Sequence, residues 1–248
     1  MAASVVSTPT TRNRLLSALP PEVLAALWPD LSPVEFALRD VIQEPGKPIT
    51  AVHFPESCFA SMLAYTEDGD AAEVGMIGRD GMVGLALLAG EDGGDDLEAM
   101  VQGPGTALRM EAGAFRAALD RFPPFRALLR YGHVHHGQVA RTAACNARHG
   151  IEQRLARWLL MSHDRVEGDA FPMTHDFLGL MLGVRRAGIS VAAGLLQRAG
   201  MIRYAGGRME VTDRPGLESV SCECYGMVRR ASDRLLGLSP GERAPYRA

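Results

Sequence analysis

Apolar residues recur at helical spacing from Arg12 to Leu27, with Pro20-Pro21 opening a second short helix. The pattern changes after Leu31. Short apolar runs at 34–38, 51–54, 58–64, 71–77, 99–101 and 107–110 alternate with turn-forming stretches such as 44–48 (EPGKP) and 67–70 (EDGD). Short strands with such punctuation predict a β-sandwich or jelly-roll barrel. A further helix is predicted over 111–119, stopped by Pro123-Pro124. Residues 125–162 contain no proline and predict one long helix or two abutting ones. Within it Leu129, His136, Val139, Ala143 and Asn146 fall on a rough a/d seam, among small residues such as Gly132, Gly137, Ala140, Ala144 and Ala147. Ile151, Leu155, Trp158 and Leu159 continue a wide apolar face.

The stretch 174–196, THDFLGLMLGVRRAGISVAAGLL, carries the most information. Thr174 is a good N-cap, and Asp176 puts a negative charge in the first turn, where the helix dipole favours it. Phe177, Leu178, Leu180 and Met181 supply an apolar face. Gly179 and Gly183 are small where two helices must cross, and Gly183 tolerates the positive φ of a helix exit. Val184, Gly188, Leu195 and Leu196 frame a second helix led by Arg185 and Arg186. After Ala199-Gly200 an apolar strand begins, Gly206-Gly207 forms a tight hairpin turn, and 209–212 return. Helix, glycine turn, helix and two-stranded wing predict a winged helix, whose second helix enters the DNA major groove with its leading residues on the base edges. Arginine there can bond guanine O6 and N7 together.

Composition supports this once the chain is divided. A net charge of −3 argues against nucleic acid, but residues 1–120 carry 18 acidic and 7 basic residues, whereas 121–248 carry 11 acidic and 19 basic ones. The halves are therefore −11 and +8, the split expected when one part meets phosphates and the other must not. Residues 185–208 hold five arginines and no acid. A hydrophobic content of 47% is ample for a core. There is no apolar run of roughly 18 residues to cross a membrane, and the first residues lack the pattern of a secretory signal. Four scattered cysteines are too few for a disulfide framework, so a cytoplasmic location is expected.

An acidic barrel, a long helix and a C-terminal winged helix, in that order, resemble the cyclic-AMP receptor protein/Fnr (Crp/Fnr) family of bacterial transcription regulators. The resemblance covers roughly residues 12–236, most specifically 151–160 (IEQRLARWLL) and 174–213. It implies an α+β fold class: N-terminal cyclic-nucleotide-binding-like β jelly roll, long dimerisation helix and C-terminal winged helix-turn-helix. The implied parts are a disordered lead-in (1–11), the sensor domain (12–120), the dimerisation helix (121–150), the DNA-binding domain with a helical tail (151–238) and a disordered tail (239–248). It also implies a regulator, not an enzyme, that binds double-stranded DNA as a homodimer on an inverted repeat, with RNA polymerase as a further partner and no membrane association. The family often reads bases with an arginine, then a glutamate, then an arginine four residues later. Arg186 matches the first, while Ala187 and Val191 replace the other two, so the family's usual half-site does not carry over. The expected DNA-binding residues are Thr174, Arg185, Arg186, Ser190, Gln197 and Arg208.

The sensor departs further. Relatives that bind cyclic nucleotide hold its ribose with a glutamate in a glycine-bounded loop and its phosphate with an Arg-Ser/Thr pair. Here 78–85 (GRDGMVGL) keeps the glycines but places Leu85 at the glutamate position, and Asp96-Leu97-Glu98 stands where the cation belongs. With Asp95 these acids repel a phosphate, so cyclic AMP and cyclic GMP are not expected to bind. The effector is unknown, with a candidate pocket of Gly81, Gly84, Leu85, Leu97 and Glu98. No cysteine precedes Cys58, so an Fnr-type N-terminal iron–sulfur cluster is not expected. His133, His135 and His136 invite haem, but a solvated or seam face of the helix is the simpler expectation. Cys145 and His149 are two ligands, which is not a metal site. Cys222 and Cys224 are close enough to titrate or oxidise together, although two ordinary helix cysteines suffice. No metal and no cofactor is expected. The rival reading is a metal-binding cupin-like enzyme or sensor fused to a DNA-binding tail, which needs clustered histidines where the barrel region offers His53 alone.

Overall fold

The computed structural model describes residues 9–91 and 96–237. Residues 1–8 of the expected lead-in, Asp95 and everything after 237, the expected disordered tail included, lie outside these. Helix α1 (Arg14–Ser17) begins at Asn13, whose carboxamide oxygen accepts from the Leu15 and Leu16 N–H groups. Its amide nitrogen donates to the carbonyls of Pro55 and Gly81, so this buried side chain also ties the helix to the barrel. Helix α2 (Pro21–Leu27) opens on proline, whose missing N–H costs nothing in a first turn.

Seven strands follow: β1 (Ser32–Phe36), β2 (Val41–Gln43), β3 (Ala51–Pro55), β4 (Phe59–Tyr65), β5 (Ala71–Ile77), β6 (Leu97–Gly103) and β7 (Gly105–Glu111). They form two antiparallel sheets, ordered β1-β7-β3 and β2-β6-β4-β5. Six were legible as apolar runs. The unexpected one, β2, has three residues and an irregular register against β6, too short to show alternation. Helix α3 (Ala112–Arg121) leads through a short 3-10 turn at Pro123–Ala127 to α4 (Leu128–Arg148) and α5 (Ile151–His163). The long helix thus breaks at His149-Gly150, where Gly150 takes an extended conformation.

Then come β8 (Ala170–Pro172), α6 (His175–Leu182), α7 (Arg186–Arg198), β9 (Ile202–Ala205), β10 (Arg208–Val211), α8 (Arg214–Val220) and α9 (Cys224–Leu235). The expected two-stranded wing is a three-stranded antiparallel sheet, β8-β10-β9, because Phe171 pairs with Met209. A three-residue strand was again below the reach of pattern.

One apolar cluster runs through both halves: Phe59, Leu63 and Met76 of the barrel pack with Leu155, Trp158 and Leu159 of α5 and with Leu178 and Met181 of α6. A second fills the space beneath the first three helices, including Leu16, Phe54, Met110, Phe115 and Phe125. Fully burying such side chains contributes about 1.5–3 kcal/mol each. Helix α4 has two faces. Leu128, Tyr131, His135, Gln138, Thr142 and Cys145 are buried. Gln138 accepts from the Met76 N–H and donates to the Met76 carbonyl, both at 3.1 Å, so it pairs with the outer edge of β5 as another strand would. The predicted seam lies on the opposite side: Leu129, His136, Ala143 and Asn146 are exposed and Val139 is half-buried.

Candidate nucleic-acid interface

Thr174 caps α6, its hydroxyl accepting from the Phe177 N–H at 3.2 Å. The helix ends at Gly183 with φ +59°, a conformation a β-carbon disfavours. Gly179 is needed for a different reason: a β-carbon there would stand 2.9 Å from the Val184 carbonyl. After this turn α7 leaves at 108° to α6, within the range of a helix-turn-helix. Ile189, Ala192, Ala193 and Leu196 bury one face of α7, and Arg154 of α5 donates to the Leu182 carbonyl, satisfying an orphan acceptor at the end of α6.

The other face is open. Arg185, Arg186, Ala187, Ser190, Val191, Gln197 and Arg198 are exposed, Val191 to 65%. Arg186 lies 3.5 Å from Asp176 with both side chains mostly in water, a weak pairing that leaves the guanidinium available. The wing turn has Gly206 and Gly207 at φ +56° and +75°, the backbone of a tight hairpin, and Arg208 follows it, exposed.

Three of the expected contact residues also make hydrogen bonds within the module. Thr174 is engaged as the cap. Ser190 bonds His175 at 3.0 Å, and that ring stacks on Tyr204 at 4.2 Å. Burial, reinforced by Arg186, lowers the His175 pKa and favours the neutral ring. Gln197 accepts from the Tyr204 N–H at 2.7 Å and thereby fixes the wing against α7. Arg185, Arg186 and Arg208 project from this frame. The His175–Tyr204 stack was not legible in the sequence, since the two residues lie 29 positions apart.

On the sensor side the expected pocket residues make contacts within the protein. Leu85 and Leu97 join a small apolar cluster with Ala60, Met62, Ile77, Val83 and Ala99. Glu98 accepts from the Tyr65 hydroxyl at 3.0 Å. A β-carbon on Gly81 would fall 2.1 Å from the Tyr131 hydroxyl, so α4 presses directly on the glycine loop, and Gly84 has φ +97°. Asp80 of the same loop forms a largely buried ion pair with Arg165 at 3.2 Å and accepts from Ser232 of α9. A cleft of about 170 Å³ opens elsewhere, between β2, β3 and Val83. Into it faces His53, whose pKa burial pushes down to about 4. Of the three histidines on α4, His135 is buried against Gly75 and pushed down to about 4 by burial, while His133 and His136 are exposed. The Cys145/His149 and Cys222/Cys224 pairs, read separately in the sequence, meet: Cys145 Sγ lies 3.4 Å from Cys222 Sγ, and Cys224 Sγ 3.8 Å from His149 Nδ1.

The two halves are joined by buried polar contacts. Glu73 of β5 accepts from the Trp158 indole N–H at 3.1 Å and from the Ser61 hydroxyl, and burial raises its pKa to about 7. No single helix among the described residues is long and apolar enough to cross a membrane.

This geometry defines a winged-helix DNA-binding module docked on a jelly roll. Residues 153–220 match the family described as the Crp-like helix-turn-helix domain. No curated protein matches the chain in sequence. Among solved structures, FixK2 of Bradyrhizobium japonicum is similar at 16% identity and a TM-score of 0.64, covering 77% of this chain and 98% of that one. A Crp-family transcriptional regulator of Thermus thermophilus is similar at 20% identity and 0.61, covering 76% and 96%. The c-di-GMP-responsive global regulator Clp of Xanthomonas campestris is similar at 14% identity and 0.60, covering 77% and 99%. The chain has the fold of Crp/Fnr regulators, and with its Crp-like domain it is a DNA-binding transcription regulator.

Proposed function

We propose that the protein acts in the cytoplasm as a homodimer on an inverted repeat, by binding and not by catalysis, and without response to cyclic AMP or cyclic GMP. Its working parts are the sensor (12–120), the connecting helix (121–150) and the DNA-binding part from 151 onward. The observation that carries this reading is the exposed, acid-free face of α7 with Arg185 and Arg186 at its leading end. Base discrimination falls to these arginines, with Arg208 on the wing reaching backbone phosphate. Support for the dimer is the solvent face of α4, where Leu129, 49% exposed, continues into Ala140, Ala143 and Ala147. A two-fold pair of recognition helices reads two half-sites about one helical turn apart. Regulation then follows from recruiting or excluding RNA polymerase. The nucleotide reading rests on Leu85 and Leu97 being packed into the barrel, on the acids around them and on Tyr131 against Gly81.

Genome-wide footprinting names the repeat, and sedimentation with gel shifts on that repeat and on one half-site tests the assembly. Ala143→Asp, a substitution at an exposed position of the protomer, is expected to lower dimer content and affinity for the full repeat together. A monomer holding one half-site with undiminished affinity excludes the dimer. Calorimetry with each cyclic nucleotide is expected to show no binding at micromolar concentration, and binding that raises DNA affinity several-fold excludes the nucleotide reading.

A further inference from the structure

Four metal-ligating side chains from separate parts of the chain converge at the joint between α4 and α5. Cys145 and His149 come from the end of α4 and the residue after it, Cys222 from the turn after α8, and Cys224 from the first position of α9. Their ligand atoms all lie within 4.8 Å of one another. A tetrahedral zinc ion, with Zn–S about 2.3 Å and Zn–N about 2.0–2.1 Å, holds its ligand atoms roughly 3.5–3.8 Å apart. The observed 3.4 Å for Cys145–Cys222 and 3.8 Å for Cys224–His149 bracket that spacing.

We propose that Cys145, His149, Cys222 and Cys224 bind one zinc ion in a closed Cys3His site that clips α9 onto the joint between α4 and α5.

The surroundings suit a metal. All three thiols are buried and free of disulfides, as a closed structural site requires. His149 turns Nδ1 toward Cys224 and places Nε2 3.3 Å from the Glu223 carboxylate. A carboxylate on the far nitrogen fixes the tautomer that leaves Nδ1 free to ligate, a common outer-shell arrangement around zinc. Three thiolates and a neutral imidazole around a divalent ion carry a net charge of −1, which a buried site must balance. Arg154 and Arg157 of α5 are buried beside the thiols, the first acting on Cys145 and Cys222 and the second on Cys145 and Cys224. The Nε of each has no hydrogen-bond partner among the described residues. Four protein ligands leave no open position for substrate, so the site is structural. It holds α9 where the helix of the sensor side hands over to the DNA-binding half, at His149-Gly150.

The test uses the full chain purified without chelator, with metal content by mass spectrometry and anaerobic reconstitution with cobalt(II). About one zinc per chain is expected. Cobalt should give thiolate charge-transfer absorption and the intense ligand-field bands of a tetrahedral site. Cys222→Ser and Cys224→Ser should each weaken metal binding at least about tenfold, whereas Cys58→Ser, in the barrel, should leave it unchanged. His149→Cys guards against misfolding of the serine variants: it should keep the metal and shift the cobalt spectrum to that of four thiolates. Folded protein that holds no metal as purified and gives no cobalt bands overturns the proposal. A Cys145–Cys222 disulfide in anaerobically isolated protein does so equally.

Discussion

Arg186 and Val191 project from α7 into solvent, whereas Leu85 and Leu97 of the sensor half pack into the barrel's own apolar cluster. The two halves use similar means for opposite ends. In the winged helix, Thr174, Ser190 and Gln197 fix the helix start, the α6–α7 contact and the wing, which frees three arginines to reach outward. In the jelly roll, Tyr131 on Gly81 and the Asp80–Arg165 pair turn the glycine loop into a joint with the DNA-binding half. The contrast teaches that a glycine loop can serve as a packing joint, because close approach of a helix needs a missing β-carbon.

The hardest test of this contrast concerns whether the halves are energetically separate. Leu159 is fully buried in the cluster shared by barrel and winged helix. Leu159→Ala should cost about 2–5 kcal/mol. Chemical denaturation should still show one transition, shifted as a whole, and two resolved transitions with only one displaced would show independent halves.

Glu73 sharpens the same point through pH. Its pKa is raised by burial to about 7 from an ordinary 4.5, so the folded protein holds this proton more tightly than the unfolded chain. That contribution to stability is full below about 4.5, declines as pH rises toward about 7 and then levels off. Glu73→Gln keeps a neutral partner for Trp158 and should remove the decline, leaving the variant more stable than the parent by roughly 3 kcal/mol at pH 8. Denaturation at pH 5 and pH 8 checks this, and parallel slopes for both proteins would show that the carboxyl does not titrate there.

On the open side of the comparison, Arg186→Ala should relax discrimination between specific and random DNA by about 1–3 kcal/mol. Competition gel shifts at fixed salt measure it, and unchanged discrimination would remove Arg186 from base reading. The smallest effect is expected at Thr174. Thr174→Ala should cost about 1 kcal/mol of stability while Thr174→Ser restores it, since the role is a cap. A loss of DNA affinity without loss of stability would place Thr174 on the DNA contact surface instead.

Much of this was legible locally. The N-cap at Thr174, the turn at Gly183 and the Gly206-Gly207 hairpin depend on residues a few positions apart, and each stands where the pattern places it. Six barrel strands were long enough to show apolar runs, while β2 and β8, at three residues each, were not. The seam on α4 was legible as a stripe, but not that it faces solvent while Tyr131, His135 and Gln138 face the barrel.

The sequence by itself determined the order of parts, the charge divided between them and the exposed arginines of the recognition helix, because helical period, turn chemistry and net charge are properties of neighbouring residues. Only the tertiary structure decided what lies between distant positions. Glu73 meets Trp158 across 85 positions, Gly81 is filled by Tyr131, and Cys145 meets Cys222 across 77. Neither Cys145-x3-His149 nor Cys222-x-Cys224 alone supplies a metal's four ligands. The site exists only because α9 folds back on α4, and that contact is set by packing of the whole core, which no local pattern encodes.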